Sequence, residues 1–386
     1  MIFFLTFFFL ILYVGIIVFY KTSWTKIPLH NYIKINDASN LPFISIIIAA
    51  RNEEKNIGAC IQSILRQTYP LDKFEVIIVN DHSTDNTTNV VLSFKQGNIR
   101  LINLEDFTEK KVLNSYKKKS IETALQFAKG ELIVTTDADC IAPEKWLETL
   151  AAFYKDKSPV FVALPVAFKN ASEQDSFLQR FFINFQSLDF MMLQGITGAS
   201  VYKKFHAMCN GANLAYQKKV FYEVNGFEGI DAIASGDDML LMHKIQNRYS
   251  EKIMFLKSEN VIVETAPAET FKDFIHQRIR WASKADQYTD KKITAVLVLV
   301  YLFNVWIFIL GICSFFSLKI FYYFSISLAI KIIVEWIFLY PVAKFFDKQK
   351  LLWWFIPSQP FHIIYTMVAG FLGKFGTYEW KERRVK

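Results

Sequence analysis

The chain has 386 residues, with 44 Lys+Arg against 36 Asp+Glu, 52% hydrophobic residues and 38 phenylalanines. That length suits one large soluble domain plus membrane segments. The formal net charge of +8 comes without a long arginine-rich stripe, so no nucleic-acid partner is expected; attraction to anionic lipid headgroups is the simpler reading. The cysteines at 60, 140, 209 and 313 form no CxxC pair and no zinc spacing, which suits a reducing cytoplasm.

Met1 to Tyr20 is twenty residues without a charge, about 30 Å as a helix and enough to cross a bilayer. No Lys or Arg precedes it, and Lys21 and Lys26 follow. It reads as an uncleaved anchor (1–20) with the next domain in the cytoplasm. From 21 to 292 the composition becomes ordinary. "FISIIIAA" (Phe43 to Ala50) is a β-branched run expected of a strand buried on both faces. Ile57, Ile61, Ile64 and Leu65 then recur at helical spacing. "FEVIIVNDHSTDNT" reads as strand, polar turn and helix start; Ser120 to Lys129 reads as helix and "ELIVTT" as strand. Alternating strands and helices imply a mainly parallel α/β sheet, whose ligands bind beyond the carboxyl ends of the strands. Three polar clusters sit there: Arg51-Asn52-Glu53, Asn80-Asp81 and Asp137-Ala138-Asp139.

Asp137 and Asp139 end a strand-like run, where two like charges repel unless water or a cation lies between them. They are either a solvated turn or a divalent-cation site holding a phosphorylated ligand. Lys117 to Lys119 read as a solvated run, from which one lysine could still reach a ligand's phosphate. Phe177 to Met192 repeats apolar residues at helical spacing, either a core helix or an interfacial one. Asp237 and Asp238 stand at a helix start, where acids are favoured in any case. Phe271 to Lys284 reads as a helix with Gln277, Arg280 and Trp281 on one face.

The membrane region (293–386) opens with the charge-free span Thr294 to Leu318. Ile320 to Ala343 follows, broken by Lys331 and Glu335, which can pair at i and i+4. Leu351 to Gly373 is apolar but carries "PSQP". It reads as a further crossing or as a re-entrant segment broken at Pro357 and Pro360, which would keep the basic tail "KERRVK" inside.

Taken together, "AARNEE", "VNDHSTDNT", "TTDADC", "NGANLAY", "GDD" and "QRIRW" occur in one order between Phe43 and Trp281. In this the chain resembles membrane-bound family 2 glycosyltransferases with the GT-A fold. It is similar in particular to ceramide-glucosyltransferase-like members and more distantly to processive polysaccharide synthases. The resemblance implies a Rossmann-like catalytic domain flanked by transmembrane helices at the cytoplasmic membrane. The implied activity is inverting transfer of a sugar from a UDP-sugar to a lipid or lipid-linked acceptor. A processive synthase is the alternative, and a transporter or scaffold with a dead transferase domain a third reading.

The resemblance also assigns residues. Asp81 would bind the uracil, with Ala50, Arg51 and Glu53 lining the nucleoside pocket. Asp139 would bind Mg²⁺ or Mn²⁺, and Asp137 would approach the metal, ribose or sugar. Asn210, Gly211 and Asn213 would shape the sugar or acceptor wall. Asp238 would be the general base, beside Asp237 where the family usually has Glu. Gln277, Arg280 and Trp281 match QxxRW and would meet the diphosphate and sugar.

Overall fold

The computed structural model describes residues 2–31, 40–108, 115–231, 233, 235–284, 288, 290–376, 378–380 and 383–385. It divides into two units, Pro28–Ala167 with Ala207–Ala266, and Met1–Ile27 with Phe168–His206 and Pro267–Lys386. In chain order the first elements are α1 (Ile2–Lys26), β1 (Ile44–Ala50), α2 (Ile57–Leu65), β2 (Phe74–Asn80), α3 (Thr87–Leu92) and β3 (Ile99–Asn103). Next come α4 (Tyr116–Phe127), β4 (Leu132–Asp137), α5 (Trp146–Lys157), β5 (Phe161–Ala163), β6 (Val166–Phe168) and α6 (Phe177–Lys203). β7 (Leu214–Gln217), α7 (Lys218–Glu223), α8 (Met239–Tyr249), β8 (Ile253–Phe255) and β9 (Val263–Thr265) follow. The chain ends with α9 (Phe271–Ala282), α10 (Lys291–Cys313), α11 (Leu318–Phe345), α12 (Phe355–Phe375) and the strands β10 (Tyr378–Trp380) and β11 (Arg383–Val385).

The first unit is built on a seven-stranded sheet in the order β3-β2-β1-β4-β7-β5-β8. Only β7 runs against its neighbours, β4 and β5; the other pairings are parallel. The expected mainly parallel α/β sheet is therefore present. Its centre follows from the β-branched run of β1, where Ile44, Ile46, Ile47 and Ile48 are at most 1% exposed. Each such side chain contributes about 1.5–3 kcal/mol by leaving water. α2 turns Ile57, Cys60, Ile61 and Ile64 inward, and α4 lies over β1 and β2. The register pairs Ala50 with Asn80 and Ala49 with Asp137, so β1, β2 and β4 end at one edge of the sheet.

The second unit is helical. α1 buries Thr6, Leu10, Tyr13, Ile17, Tyr20 and Trp24, a 3–4 spacing that makes a seam along one side. It packs on α6, α10 and α11. At Gly195 of α6 a Cβ would come within 2.7 Å of Val342 Cγ2 and 2.9 Å of Phe338 Cζ, so glycine lets α6 approach α11 closely. Among the described residues, three helical spans are long and apolar enough to cross a membrane: Ile2–Lys26, Lys291–Phe316 and Leu318–Phe345. Lys331 and Glu335 do pair, at 2.8 Å and buried.

Two elements depart from the expectation. α6 continues past Met192 to Lys203. It is buried from Asn184 to Val201 with few gaps, while Phe177 and Leu178 at its start are 63% and 75% exposed. α12 is one continuous helix rather than a segment broken at Pro357 and Pro360. Pro357 falls in its first turn, where no intrahelical N–H is needed, and Pro360 sits only one turn further in. The basic ending "KERRVK" lies partly outside the described residues.

Candidate active site

The loops after β1 and β2 lock together. Arg51 donates from Nη1 to the carbonyls of Asp81 and His82, both at 3.1 Å. Asn52, at φ 51°, accepts from Thr84 N on its side chain and donates its own N–H to Ser83 Oγ. Glu53 N donates to Thr87 Oγ1 and Glu54 N to Asp85 Oδ2, while Asn86 N donates to Glu54 Oε2. Arg51 thus serves to hold the turn that carries Asp81. The Asp81 side chain is only 5% exposed, with His82 Nδ1 2.9 Å from Oδ1.

A second cluster stands beside it. Lys117 Nζ, at the start of α4, is 2.7 Å from Asp137 Oδ1 and 3.3 Å from Asp237 Oδ2. Burial alone would depress the ammonium, but the charges of Asp137, Asp237 and Asp238 outweigh it and hold the group well above the usual lysine range. Asp238 caps α8 through Oδ1, which accepts from Met239 N at 2.7 Å, and its Oδ2 accepts from Gly211 N at 3.0 Å. A Cβ on Gly211 would sit 3.2 Å from both Asp237 Oδ2 and Lys117 Nζ, so glycine leaves room for this ion cluster. Asp139 Oδ2 accepts from Thr265 Oγ1 at 3.0 Å. Burial first, then the charges of Asp137 and Glu53, raise the Asp139 carboxyl above the usual carboxylate range.

Lys117 and Lys118 are not solvated as expected. Lys118 is 2% exposed and donates to three backbone carbonyls, of Ile230 and Ile233 at 2.6 Å and Ser235 at 3.0 Å. It ties down the segment that leads to Asp237. A signal was available: three cations in the first turn of a helix oppose its macrodipole, so something else must hold them there. Thr265 lay beyond such reasoning, because it meets Asp139 across 126 positions of chain.

Asn213 is fully buried and its amide is committed to the fold. Nδ2 donates to the carbonyls of Pro165 and Val261, and Oδ1 accepts from Trp146 Nε1. Asn210 Oδ1 accepts from Ala212 N at 3.0 Å and shapes the same turn. Among the predicted site residues, one unit therefore brings together Asp137, Asp237, Asp238 and Gly211, and beside them Ala50, Arg51, Glu53 and Asp81. Gln277, Arg280 and Trp281 are half-buried on α9 of the helical unit. There Arg278, which the sequence reading passed over, is 4% exposed and bonds Asp189 and Gln277.

Chemically, the sheet unit offers crowded carboxylates around one ammonium, at the strand edge where α/β sheets bind ligands. A carboxylate with both oxygens fixed by backbone N–H groups retains lone pairs for a hydroxyl proton.

Residues 45–224 match the family model described as Glycosyl transferase family 2. The chain is 26% identical over 317 residues to the probable glycosyltransferase YdaM of Bacillus subtilis, covering 77% of this chain and 71% of that one. It is 30% identical over 152 residues to the beta-monoglucosyldiacylglycerol synthase of Synechocystis sp., covering 37% of this chain and 29% of that one. Apart from YdaM, the matches span 28–34% of the own length of the first curated relatives. Among solved structures, a mannosyltransferase from Pyrobaculum calidifontis, in complex with GDP-Man and Mn²⁺, superposes with a TM-score of 0.59 at 18% identity over 95% of both chains. That likeness concerns the fold, and it agrees with the GT-A arrangement of sheet and flanking helices. Over residues 45–224 the chain is thus similar to family 2 glycosyl transferases.

Proposed function

We propose that the protein is an inverting glycosyltransferase that moves one sugar from a UDP-sugar to a lipid or lipid-linked acceptor at the cytoplasmic face of a membrane. The observation that carries the reading is the ion cluster of Lys117, Asp137 and Asp237 next to the doubly anchored Asp238. Asp238 is the general base. It takes the proton of the acceptor hydroxyl as that oxygen bonds to the anomeric carbon and the bond to the diphosphate breaks, which inverts the centre. Asp81 recognises the uracil, with Ala50, Arg51 and Glu53 around the nucleoside. Gln277, Arg280 and Trp281 of α9 serve the diphosphate and the sugar, and Asn210 and Gly211 form part of the wall. A lipid acceptor is supported by the beta-monoglucosyldiacylglycerol synthase relative and by three helices of membrane-crossing length.

Asp137 and Asp139 fit a divalent cation by the chemistry of their donors. They are hard oxygen ligands, and burial together with the charges of Asp137 and Glu53 disfavours the Asp139 carboxylate, which a cation would relieve. Among the described residues no group of three or more His, Cys, Asp or Glu could hold a metal alone, so the donor's phosphates would complete the shell. Bound there, Mg²⁺ or Mn²⁺ would supply Lewis-acid stabilisation of the departing diphosphate. The test is to incubate purified protein and a lipid extract with UDP-glucose, UDP-galactose, UDP-N-acetylglucosamine and GDP-mannose, then identify products by mass spectrometry. A singly glycosylated lipid is expected from a UDP-sugar. A long soluble polymer, or no product with any donor, would overturn the reading.

A further inference from the structure

We propose that Asp189 and Arg278 are positioning residues that set the side chains of Gln277 and Trp281; this rests on the transferase reading above. Arg278 follows Gln277 directly, yet its side chain turns inward. Nε and Nη2 donate to Asp189 Oδ2 at 3.1 and 2.8 Å, and both side chains are 4% exposed. Nη1 donates to Gln277 Oε1 at 2.6 Å. The guanidinium carbon lies 4.2 Å from the centroid of the Trp281 ring and 4.5 Å from that of Phe274. One planar fork therefore engages a carboxylate, an amide oxygen and an indole face together. By taking Oε1, it decides which end of the Gln277 amide turns outward: the nitrogen. Trp281 also meets Phe190, whose ring centroid is 6.0 Å away.

The clamp is itself clamped. Asp189 Oδ1 accepts from the Tyr365 hydroxyl and lies 3.9 Å from His362 Nε2, both on α12. His362 Nδ1 is 3.5 Å from Lys331 Nζ, which pairs with Glu335 and donates to Gln359 Oε1. Tyr13 of α1 donates to Glu335 Oε1. A polar chain, buried except at the half-buried His362, thus runs from the membrane-length helices α1 and α11 through α12 and α6 to α9. Hydrophobic residues of similar volume often replace a buried ion pair without loss of stability. What Asp189–Arg278 adds is a fixed geometry for the two neighbours that Arg278 touches.

The experiment uses the full chain in detergent and the donor that supports transfer in the four-sugar panel. Asp189→Asn and Arg278→Lys are each made in the wild-type and in the Trp281→Phe background; Arg278→Lys keeps a cation opposite Asp189 and guards against a variant that fails to fold. Turnover is measured per folded protein, alongside the melting temperature. Each single change is expected to lower turnover tenfold or more in the wild-type background and by a smaller factor once Trp281 is Phe, because part of its effect passes through that ring and the rest through Gln277. Equal fold-losses in both backgrounds, or wild-type turnover by either variant, would overturn the positioning role. A wild-type protein that transfers while the losses are equal sinks only this inference; one that transfers from no donor sinks the transferase reading with it.

Discussion

Asp238 is both a helix cap and the proposed base, and the structure makes these two roles separable. Its oxygens accept from Met239 N and Gly211 N. Asn can keep the cap through Oδ1 but cannot take a proton. Asp238→Asn should therefore lose transfer by roughly 10² or more while UDP affinity stays close to wild type and the melting point falls only by the loss of the Gly211 bond; retained transfer removes Asp238 as the base. Asp139 makes the opposite pairing of stability and activity. Its carboxyl is raised by burial and by the charges of Asp137 and Glu53. With the folded value raised, its stabilising contribution is present below the ordinary carboxylate range and is lost as the pH rises through the raised value. Asp139→Asn should accordingly raise the metal-free melting temperature at neutral pH, abolish the further rise that Mn²⁺ gives the wild type, and lose transfer. A wild-type response to Mn²⁺ in that variant refutes the metal role. Asp137 and Asp139 were readable as a pair from their spacing alone. Lys117 was in view but read as solvated, because what holds it are Asp137 and Asp237, carboxylates that only the fold brings to its side.

At the scale of elements, the acid-bearing segment before α8 is shaped by side chains outside it. Lys118 donates to three of its carbonyls, and each buried carbonyl left unpaired costs about 1–3 kcal/mol. Lys118→Met should leave the sheet intact but speed hydrogen exchange across residues 228–231 and 235–238 and lower turnover; unchanged exchange there would show that the three bonds do not order these residues. Gly211→Ala tests the opposite face. Its Cβ would lie 3.2 Å from the Asp237 carboxylate and the Lys117 ammonium. Displacing them by a few tenths of an ångström should reduce turnover roughly tenfold with little change in melting temperature, as measured on the same preparation. The strands of this unit were legible because burial on both faces demands β-branched runs. The loop contacts were not, since they join residues that only the sheet order makes neighbours.

For the whole molecule, the buried group of Tyr13, Lys331, Glu335 and Gln359 ties α1, α11 and α12 together. Lys331→Met leaves Glu335 as a buried charge and should cost about 3–5 kcal/mol, read as a lower denaturation midpoint in detergent. Lys331→Met with Glu335→Leu should recover most of that loss, though not all, because Gln359 then loses both partners. A single variant as stable as wild type would mean that water reaches the pair. The pairing at i and i+4 was visible in sequence; its burial against two further helices was not.

By itself the sequence determined the charge-free helices, the β-branched strands, the order of the motifs and the acids at the strand ends. These are local consequences of side-chain chemistry, fixed by which residues must leave water and which must stay in it. Tertiary structure decided the rest. Parallel register brought Ala49 and Asp137 side by side. Packing turned Lys117 and Lys118 from a solvated run into the clamp of the acid loop, and turned Arg278 inward onto Asp189 and Trp281. A buried cation needs a partner or a set of carbonyls, and which partner it finds depends on the path of the whole chain.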